Sequence, residues 1–271
     1  MIRSGIDLSF DTREMIRPYG LKNFPKGYYQ QQDVFSYENN TDVLLTYRNQ
    51  LSNSFNLSVS VGANRMDNEY KMQQAYVKDL ITPGVYKLSN GVAAPITTFT
   101  ERNKRVNSVY GTATLSYANK IFLDVTGRND WSSTLPSGNN SFFYPSVSTS
   151  FILSDLFRLP EQISFAKLRA SWAQVGNDTA PYKTAKYYNT SAFPGSASVS
   201  STLYNARFKP EISNSIEVGL DWRMFKQRFG LDLAFYNNIT RNQILDVPMD
   251  QTTGYTKATM NSGKVRNRGI E

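Results

Sequence analysis

The sequence contains neither cysteine nor histidine among its 271 residues. Without cysteine, disulfides, thiolate nucleophiles and sulfur metal ligands are excluded. Without histidine, Ser-His-Asp and Cys-His catalytic sites are excluded as well, and a zinc site would have only carboxylate ligands. No carboxylate pair of the kind that cleaves glycosides stands apart in the chain. We therefore expect a protein that is not an enzyme and that holds no metal or cofactor.

Long apolar runs are absent too, because no stretch approaches the roughly 18 apolar residues that a membrane-spanning helix needs. The mean hydropathy of -0.46 does not exclude crossing by strands, since half of each such strand faces water. No apolar signal-peptide core follows Met1. The net charge of +8 comes from scattered Lys and Arg without a dense basic run, so we expect no nucleic-acid partner.

The sequence does contain strict alternation of apolar and polar residues, most clearly between residues 107 and 155. In SVYGTATLSY, residues 108–117, every second residue from Val109 onward is apolar or small. After a short turn at 118–120, Ile121 and Leu123 continue this face while Asp124 lies on the other. A polar link at 131–141 leads to a third stretch, FFYPSVSTSFIL. A period of two residues predicts a β-hairpin followed by a third strand.

The alternation recurs along the chain and predicts about ten strands. The other strands are predicted at residues 5–11, 41–48, 54–64, 163–175, 212–225 and 229–239, with a last one beginning near Lys257. Long polar links are predicted at 12–40, 65–105, 131–141, 176–211 and 240–256. Residues 67–80 fit a short helix within the second of these links. Ser154 fits the N-cap position of a short turn at 154–162.

Alternation alone does not separate a soluble β-sandwich from a membrane barrel. Outer-membrane barrels sort their links into short periplasmic turns and long extracellular loops, whereas sandwiches do not. The links of this chain alternate between short and long, which favours an all-β, antiparallel, up-and-down transmembrane β-barrel segment. The short links at 49–53, 118–120, 154–162 and 226–227 are then expected at one end of the sheet.

A barrel also predicts which side chains meet lipid. The outward set is Leu57, Val59, Leu123, Val147, Leu168, Leu220 and Leu233, and the inward set is Asp124, Arg128, Lys167, Glu217 and Asp221. Aromatic residues at the two ends of the strands are expected to form interfacial girdles. They are Tyr117 and Phe122 beside the short turn, and Phe142, Phe143 and Tyr144 at the opposite end.

Charged residues of the inward face are the first candidates for contact with a transported substrate. They are Asp124, Arg128, Asp130, Lys167, Arg169, Glu217, Asp221 and Arg223. The alternative is that these charges satisfy only one another and water, since every barrel strand carries such residues. Aromatic residues of the predicted loops form a second group, whose rings either stack on sugars or anchor the loops. They are Trp131, Tyr182, Tyr187, Tyr188 and Tyr204.

Several stretches together resemble the SusC/RagA-type TonB-dependent transporters of the Gram-negative outer membrane. They are GRNDWSSTLP with SFFYPSVSTSFILSD, KLRASWAQVGND, FKPEISNSIEVGLDWRMF, and GY followed by NSGKVRNRGIE. The resemblance implies a barrel of about 22 strands that is closed by a plug. It also implies import of glycans or peptides, coupling to TonB-ExbB-ExbD through the plug, and a SusD-like surface lipoprotein as a lid. Residues 1–271 are then expected to be part of one barrel domain, with the plug and the C-terminal strands outside the chain.

These observations predict part of an importer of large nutrients that is surrounded by outer-membrane lipid. The alternative from another class is a structural or adhesive β-protein whose long loops present a binding surface. A plug and a TonB box upstream of these residues would decide between the two.

Overall fold

β-Strands account for most of the structure, a computed structural model that describes residues 1–190 and 195–271. The strands are β1 (Ile2–Leu21), β2 (Phe24–Gln50), β3 (Phe55–Lys78), β4 (Ile96–Tyr117), β5 (Ile121–Ser132), β6 (Ser141–Ile152), β7 (Ile163–Asn177), β8 (Tyr188–Thr190), β9 (Ala197–Val199), β10 (Thr202–Leu203), β11 (Glu211–Met224), β12 (Phe229–Arg241), β13 (Ile244–Pro248), β14 (Lys257–Asn261) and β15 (Lys264–Ile270). Helices within these residues are α1 (Leu153–Leu156) and single 3-10 turns at Leu88–Asn90 and Gln251–Thr253. None of them has the length and apolarity needed to cross a bilayer.

Ten of the strands form a single sheet in the order β1-β2-β3-β4-β5-β6-β7-β11-β12-β15. Neighbouring strands from β4 to β15 pair antiparallel. The remaining strands lie in long links and form two small sheets, β10-β14-β13 and β8-β9. The predicted antiparallel, up-and-down sheet of about ten strands is therefore confirmed.

The chain divides into two compact units, which are described separately. The first comprises Met1–Ile2, Asp42–Asn64 and Val106–Glu271, and the second comprises Arg3–Thr41 and Arg65–Arg105. In the first unit, small polar side chains such as Ser108 and Ser132 are buried, whereas many large apolar side chains of the strands are exposed. This distribution is the reverse of the one in a water-soluble domain.

The two faces of the sheet in the first unit differ in chemistry. Val125 pairs directly with Val147, and Leu220 pairs with both Leu168 and Leu233. Leu123 lies on the same side as Val125, and Leu123 and Val147 are each 39% exposed. We call this side the apolar face. The opposite side, the polar face, carries Asp124, Arg128, Lys167, Glu217 and Asp221, so the two predicted sets do lie on opposite faces.

β3 follows the same division. A Cβ atom added to Gly62 would collide with the ring of Tyr110, which lies on the polar face beside Arg128. Gly62 therefore lies on the polar face, and alternation places Leu57 and Val59 on the apolar face, as predicted.

The predicted aromatic girdles are only partly correct. Tyr117 and Phe143 lie on the apolar face, at opposite ends of the strands, and both are exposed. Phe122, Phe142 and Tyr144 instead lie on the polar face, where they pair with Ser150, Asp130 and Arg128. The prediction counted residues from the turn and neglected that neighbouring side chains in a strand point to opposite faces.

Backbone hydrogen bonds join the short links to one another. The donor and acceptor pairs are Ala118 N to Ser54 O at 2.6 Å, Ile152 N to Lys120 O at 2.8 Å, and Phe225 N to Gln162 O at 2.8 Å. The links at 51–54, 118–120, 153–162 and 225–228 therefore lie at one end of the first unit, as predicted. The tightest turn requires left-handed backbone, which Ala118 and Asn119 adopt with φ of 49° and 57°.

The second unit overturns two predicted loops and one predicted helix. β1 and β2 continue through most of residues 12–40 and are joined by a turn at Lys22 and Asn23. β3 extends to Lys78, so residues 67–80 are mainly strand rather than helix, and the following link spans only 79–95. These portions of the strands are polar on both sides, as NRMDNEYK shows, and they lack the period that marks a half-buried strand.

A small apolar core holds the link at 79–95 in the second unit. Tyr29, Val77 and Leu80 are buried there, and the partly buried Tyr19, Tyr86 and Leu88 pack against them. The Tyr19 hydroxyl donates to the Leu80 carbonyl. The Asn90 amide donates to the carbonyls of Thr82 at 2.9 Å and Val85 at 2.6 Å, which gives the link a fixed shape.

Two further predictions need correction. Ser154 lies inside α1, whose N-cap is Ile152 and has no side-chain cap hydrogen bond. The strand that begins at Lys257 is β14, which pairs with β13 in a small sheet, and the tenth strand of the main sheet is β15. A hairpin inside a loop alternates like a barrel strand, so the pattern did not separate them. The predicted long link at 176–211 is present between β7 and β11, except that residues 191–194 lie outside the described residues.

Candidate functional site

Two tyrosines flank an arginine on the polar face of β4, β5 and β6. Tyr110, Arg128 and Tyr144 occupy directly paired positions on these three strands. The Arg128 guanidinium lies 5.8 Å from the centre of the Tyr110 ring, within reach of a cation–π interaction. The sequence analysis selected Arg128 but missed both tyrosines, because their proximity depends on register between strands.

Asp130 holds this row in place. Its carboxylate accepts a hydrogen bond from Arg128 Nε at 2.7 Å and another from the Tyr144 hydroxyl. Arg128 also donates to the Ser108 hydroxyl at 2.8 Å. Asp130 is only 8% exposed, and a carboxylate this buried requires such partners. The structure thus brings the predicted residues Arg128 and Asp130 together, and Arg128 is fixed rather than free to search for a ligand.

A cavity of about 360 Å³ lies beside this row. Its polar-face lining includes Tyr110, Arg128 and Tyr144, together with the hydroxyl side chains of Thr126 and Ser146. These two hydroxyls are 2.6 Å apart. Aromatic faces beside a cation and hydroxyl groups can hold a polar ring, an amide or a carboxylate. Asp124 lies apart from this cavity, where it accepts a hydrogen bond from Thr114 at 2.6 Å.

Arg169 forms a second charged group on the polar face. From β7 it reaches Glu217 of β11 at 3.6 Å and Asp232 of β12 at 3.2 Å. Its side chain crosses β11 above Gly219, where an added Cβ would collide with the guanidinium. Gly219 is therefore needed for this crossing. Sequence analysis identified Arg169 and Glu217 but missed Asp232 and Gly219, although alternation along β12 places Asp232 on the polar face.

The remaining predicted charges lie closer to the short links. Asp221 is paired in register with both Lys167 and Asp232. Arg223 donates to Asp221 at 3.3 Å and lies 5.6 Å from the centre of the Phe165 ring. Much of this group is consistent with the alternative that charges on the inner wall satisfy one another.

The predicted loop aromatics separate into different environments. Trp131 is not a loop residue, because it lies near the end of β5 on the apolar face and is 40% exposed. Tyr187 and Tyr204 are stacked, with ring centroids 5.5 Å apart and hydroxyl oxygens 3.0 Å apart. Tyr182 and Tyr188 are exposed, the first with a left-handed φ of 65° and the second in β8. The structure therefore brings together one pair of the five.

The two longest links join each other at the end opposite the short links. β10, in the link between β7 and β11, pairs in parallel with β14, in the link between β12 and β15. The Asn261 side chain accepts from Lys209 N at 2.9 Å and donates to Lys209 O at 2.7 Å. Phe208, at 0% exposed, is fully buried beside these contacts in the chain. Residues 178–190, 195–210 and 242–263 thus form one structured surface, which we call the loop platform.

One ion pair of the loop platform has a perturbed carboxyl group. Asp246 accepts hydrogen bonds from Lys257 and from the Thr259 hydroxyl, each at 2.7 Å. These hydrogen bonds, first that from Lys257, lower the pKa of Asp246 below its usual value. The pair connects β13 to β14.

Comparison with known proteins identifies the chain. The model of the family described as "TonB dependent receptor-like, beta-barrel" matches residues 4–271, almost the whole sequence. The chain belongs to this family of TonB-dependent receptors. Receptors of this family are outer-membrane proteins, so the predicted location is confirmed.

Curated relatives are also TonB-dependent receptors. TonB-dependent receptor P26 of Formosa agariphila is 27% identical over 244 residues, which are 86% of this chain and 24% of that protein. TonB-dependent receptor P3 of the same organism is 28% identical over 252 residues, 88% of this chain and 25% of that protein. The chain thus spans about a quarter of the length of these relatives.

Solved structures place the fold among those of TonB-dependent receptors. The structure of the RagAB peptide transporter matches with a TM-score of 0.84 at 20% identity, over 99% of this chain and 31% of that chain. The ferripyoverdine receptor of Pseudomonas aeruginosa matches at 0.55 and 14% identity, over 99% of this chain and 35% of that chain. The predicted membership of the TonB-dependent receptors is therefore confirmed, and the fold matches that of the RagAB peptide transporter.

Proposed function

We propose that this TonB-dependent receptor segment is part of the wall of an importer of large nutrients across the outer membrane. The opposite chemistry of the two faces, maintained from β4 to β12, carries the proposal. In this arrangement the apolar face contacts lipid and the polar face lines the substrate passage. Residues 1–271 belong, on this proposal, to one barrel domain.

The cavity beside Arg128 supplies a contact point for the cargo within that passage. Arg128 is held by Asp130 and Ser108, lies in register between Tyr110 and Tyr144, and is 5.8 Å from the centre of the Tyr110 ring. A fixed cation between aromatic faces suits the carboxylate and amide groups of peptides, and the neighbouring hydroxyls also suit sugars. The cargo is therefore a peptide or an oligosaccharide, and the likeness to the fold of the RagAB peptide transporter supports the peptide.

The charged group at Arg169 and the charges of Asp124, Lys167, Asp221 and Arg223 complete the proposed wall. The ion pairs of Arg169 with Glu217 and Asp232, and of Arg223 with Asp221, keep this part of the wall polar and fixed while the cargo passes. On the loop platform, the stacked Tyr187 and Tyr204 offer an aromatic surface for the first encounter with cargo.

Two partners follow from the same proposal. A SusD-like surface lipoprotein covers the loop platform as a lid, and TonB-ExbB-ExbD drives import through the plug of the full-length receptor. The ordered loop platform supports the first of these, because a structured surface binds a protein partner with less loss of entropy than disordered loops do.

Uptake by cells that carry the full-length receptor tests this function. A strain lacking the receptor gene is complemented with the wild type, with a variant carrying Arg128→Gln and Tyr144→Phe, or with Lys22→Gln as a control at an exposed tip. Uptake of labelled oligopeptides and oligosaccharides is then measured with and without TonB. We expect TonB-dependent uptake of one cargo class, reduced in the double variant and normal in the control.

Uptake that persists without TonB would contradict the proposal. Normal uptake in the double variant would contradict only the role of the cavity in binding cargo, not the import function. Cell attachment that needs the loops, without any uptake, would favour the adhesive alternative.

A further inference from the structure

A row of aromatic rings lies on one side of β2 and β3 in the second unit. The ring centroids of Phe24 and Tyr28 are 5.3 Å apart, and those of Tyr28 and Tyr76 are 5.6 Å apart. The Lys78 ammonium lies 6.0 Å from the centre of the Tyr76 ring. All three rings are only partly buried, so part of their surface is open to solvent.

Glutamine side chains continue this row along the same two strands. Gln30 accepts a hydrogen bond from the Tyr28 hydroxyl at 2.6 Å, and Gln32 donates to the Gln74 carbonyl oxygen at 2.5 Å. Gln30 and Gln32 follow Tyr28 at steps of two residues in β2, and Gln74 precedes Tyr76 by two in β3, so they share one face. We define the aromatic-amide strip as Phe24, Tyr28, Gln30, Gln32, Gln74 and Tyr76.

The opposite side of the same strands is the one that packs into a core. Tyr29 and Val77, the neighbours of Tyr28 and Tyr76 in sequence, are buried there with Leu80. That core does not include the rings of the strip. β2 and β3 also lie between β1 and β4 in the sheet, so the open surface of the strip is a face of the sheet and not an edge.

Hydrogen bonds within the strip fix two of its amides and leave part of their capacity open. Gln32 donates through its amino group, so its carbonyl oxygen remains to accept, whereas Gln74 accepts and keeps its amino group to donate. Within the described parts of the chain, neither of these two groups has another hydrogen-bond partner. A ligand would therefore meet a donor and an acceptor held in place beside an aromatic face, which lowers the entropic cost of binding.

This chemistry fits the rings of a saccharide. A pyranose ring has a face of C–H groups that packs on an aromatic ring, and its hydroxyl groups both donate and accept hydrogen bonds. The strip supplies both kinds of hydrogen-bonding group next to its rings. It carries no charged side chain of its own to neutralise the ends of a peptide.

We propose that the aromatic-amide strip is a binding site for the sugar rings of an oligosaccharide. The proposal deepens the import function, on which its biological role rests, by naming the oligosaccharide as the cargo class that the second unit selects. The likeness to the fold of the RagAB peptide transporter favours the other class, so a peptide is included in the test. Binding itself requires only the fold of the second unit and can be measured without import.

Isothermal titration calorimetry of the purified full-length receptor, in a detergent without a sugar headgroup, tests this proposal. The ligands are maltohexaose, cellohexaose, laminarihexaose, xylohexaose, an alginate hexasaccharide and an uncharged, end-capped oligopeptide of Gly, Ser and Ala. The strip variant carries Gln32→Ala with Gln74→Ala. The matched control carries Gln31→Ala with Gln73→Ala, the adjacent glutamines on the opposite face of the same strands. A second comparison uses Tyr76→Ala and Tyr76→Phe.

We expect binding of at least one hexasaccharide by the wild type. Its affinity should fall about tenfold in the strip variant, because two hydrogen-bonding groups are lost. It should also fall about tenfold in Tyr76→Ala, which removes the aromatic face. The matched control and Tyr76→Phe, which keeps the ring, should retain the affinity of the wild type.

Binding of none of the hexasaccharides would overturn the proposal, and so would equal affinities in the strip variant and the matched control. Binding of the oligopeptide alone, weakened in the strip variant, would overturn it in favour of a peptide site. Should the double substitution prevent folding, the difference between Tyr76→Ala and Tyr76→Phe decides in the same way. A receptor that binds a hexasaccharide through the strip, but shows no TonB-dependent uptake in cells, would contradict the import function and leave this site standing.

Discussion

Val147 and Ser148 are neighbours in β6 that face opposite sides of the sheet, so the same substitution at each isolates the effect of the face. Val147 lies near the middle of the 12-residue strand and pairs with Val125 and Trp172 on the apolar face. Ser148 pairs with Asp124 and Ser171 on the polar face. We predict that Val147→Arg strongly impairs assembly of the full-length receptor, whereas Ser148→Arg is tolerated.

The magnitude follows from the depth of Val147 in the bilayer. An arginine that faces lipid at the midplane costs about 2 to 4 kcal/mol in a membrane barrel. That cost corresponds to a reduction of about 30- to 700-fold in the folding equilibrium. At position 148 the new guanidinium would face water beside the Asp124 carboxylate, so the expected cost there is below about 1 kcal/mol.

Folding of the two full-length variants into phosphatidylcholine bilayers measures this difference, with the heat-sensitive shift in gel mobility as the readout for the closed barrel. We expect a large loss of the folded band for Val147→Arg and near wild-type folding for Ser148→Arg. Equal losses for the two variants, or a greater loss for Ser148→Arg, would refute the assignment of the faces.

Three further predictions concern the polar face and the loop platform. Gly219→Val should displace Arg169 from Asp232 and lower the midpoint of thermal unfolding of the receptor. Gly138→Val, where the added side chain meets open space, should not lower it, and equal effects of the two substitutions would contradict the passage of Arg169 over Gly219. Phe208→Ala should destabilise the loop platform locally by about 3 to 5 kcal/mol, which would appear as faster hydrogen exchange at 244–261. The control is Arg207→Ala, at an exposed position, and equal exchange rates in the two variants would contradict this prediction. Because the pKa of Asp246 is lowered in the folded state, its contribution is present above its unfolded pKa and is lost as pH falls through the folded value. Protection factors of the loop amides, which correct for the slower intrinsic exchange at low pH, should therefore fall at acid pH in the wild type but change less in Asp246→Asn. Identical pH profiles of these protection factors would refute this.

The strands near the short links could be predicted from sequence because one side of each is apolar. Val125 and Val147 illustrate this, since each belongs to an uninterrupted period of two. The parts of β1 to β3 within residues 12–40 and 65–78 could not be predicted as strands, because they are polar on both sides and carry Pro18, Pro25 and Gly27. A glycine beside prolines predicts a turn, but Gly27 lies within β2, where it adopts a left-handed φ of 74°.

The candidate site was predictable only in part, because it depends on register. The turn at 118–120 pairs Tyr117 with Ile121, and this pairing extends along the hairpin to set Tyr110 opposite Arg128. The contact between Tyr110 and Arg128 could therefore be predicted from the sequence once the turn was located. The link of β5 to β6 is longer and does not fix the register, so Tyr144 was missed. The stacking of Tyr187 on Tyr204 depends on the fold of a long link, for which local sequence carries no periodic signal.

The most direct test of the central claim uses the absence of cysteine from this chain. Single cysteines at each position from 145 to 150 of the full-length receptor, in a background free of other accessible thiols, carry a nitroxide spin label in lipid bilayers. Collision rates with oxygen and with a water-soluble nickel complex then report the surroundings of each side chain. The account predicts high nickel accessibility at 146, 148 and 150 and high oxygen accessibility at 145, 147 and 149. Accessibility without a period of two, or with the two sets exchanged, would contradict a sheet with one face in lipid and the other lining a passage.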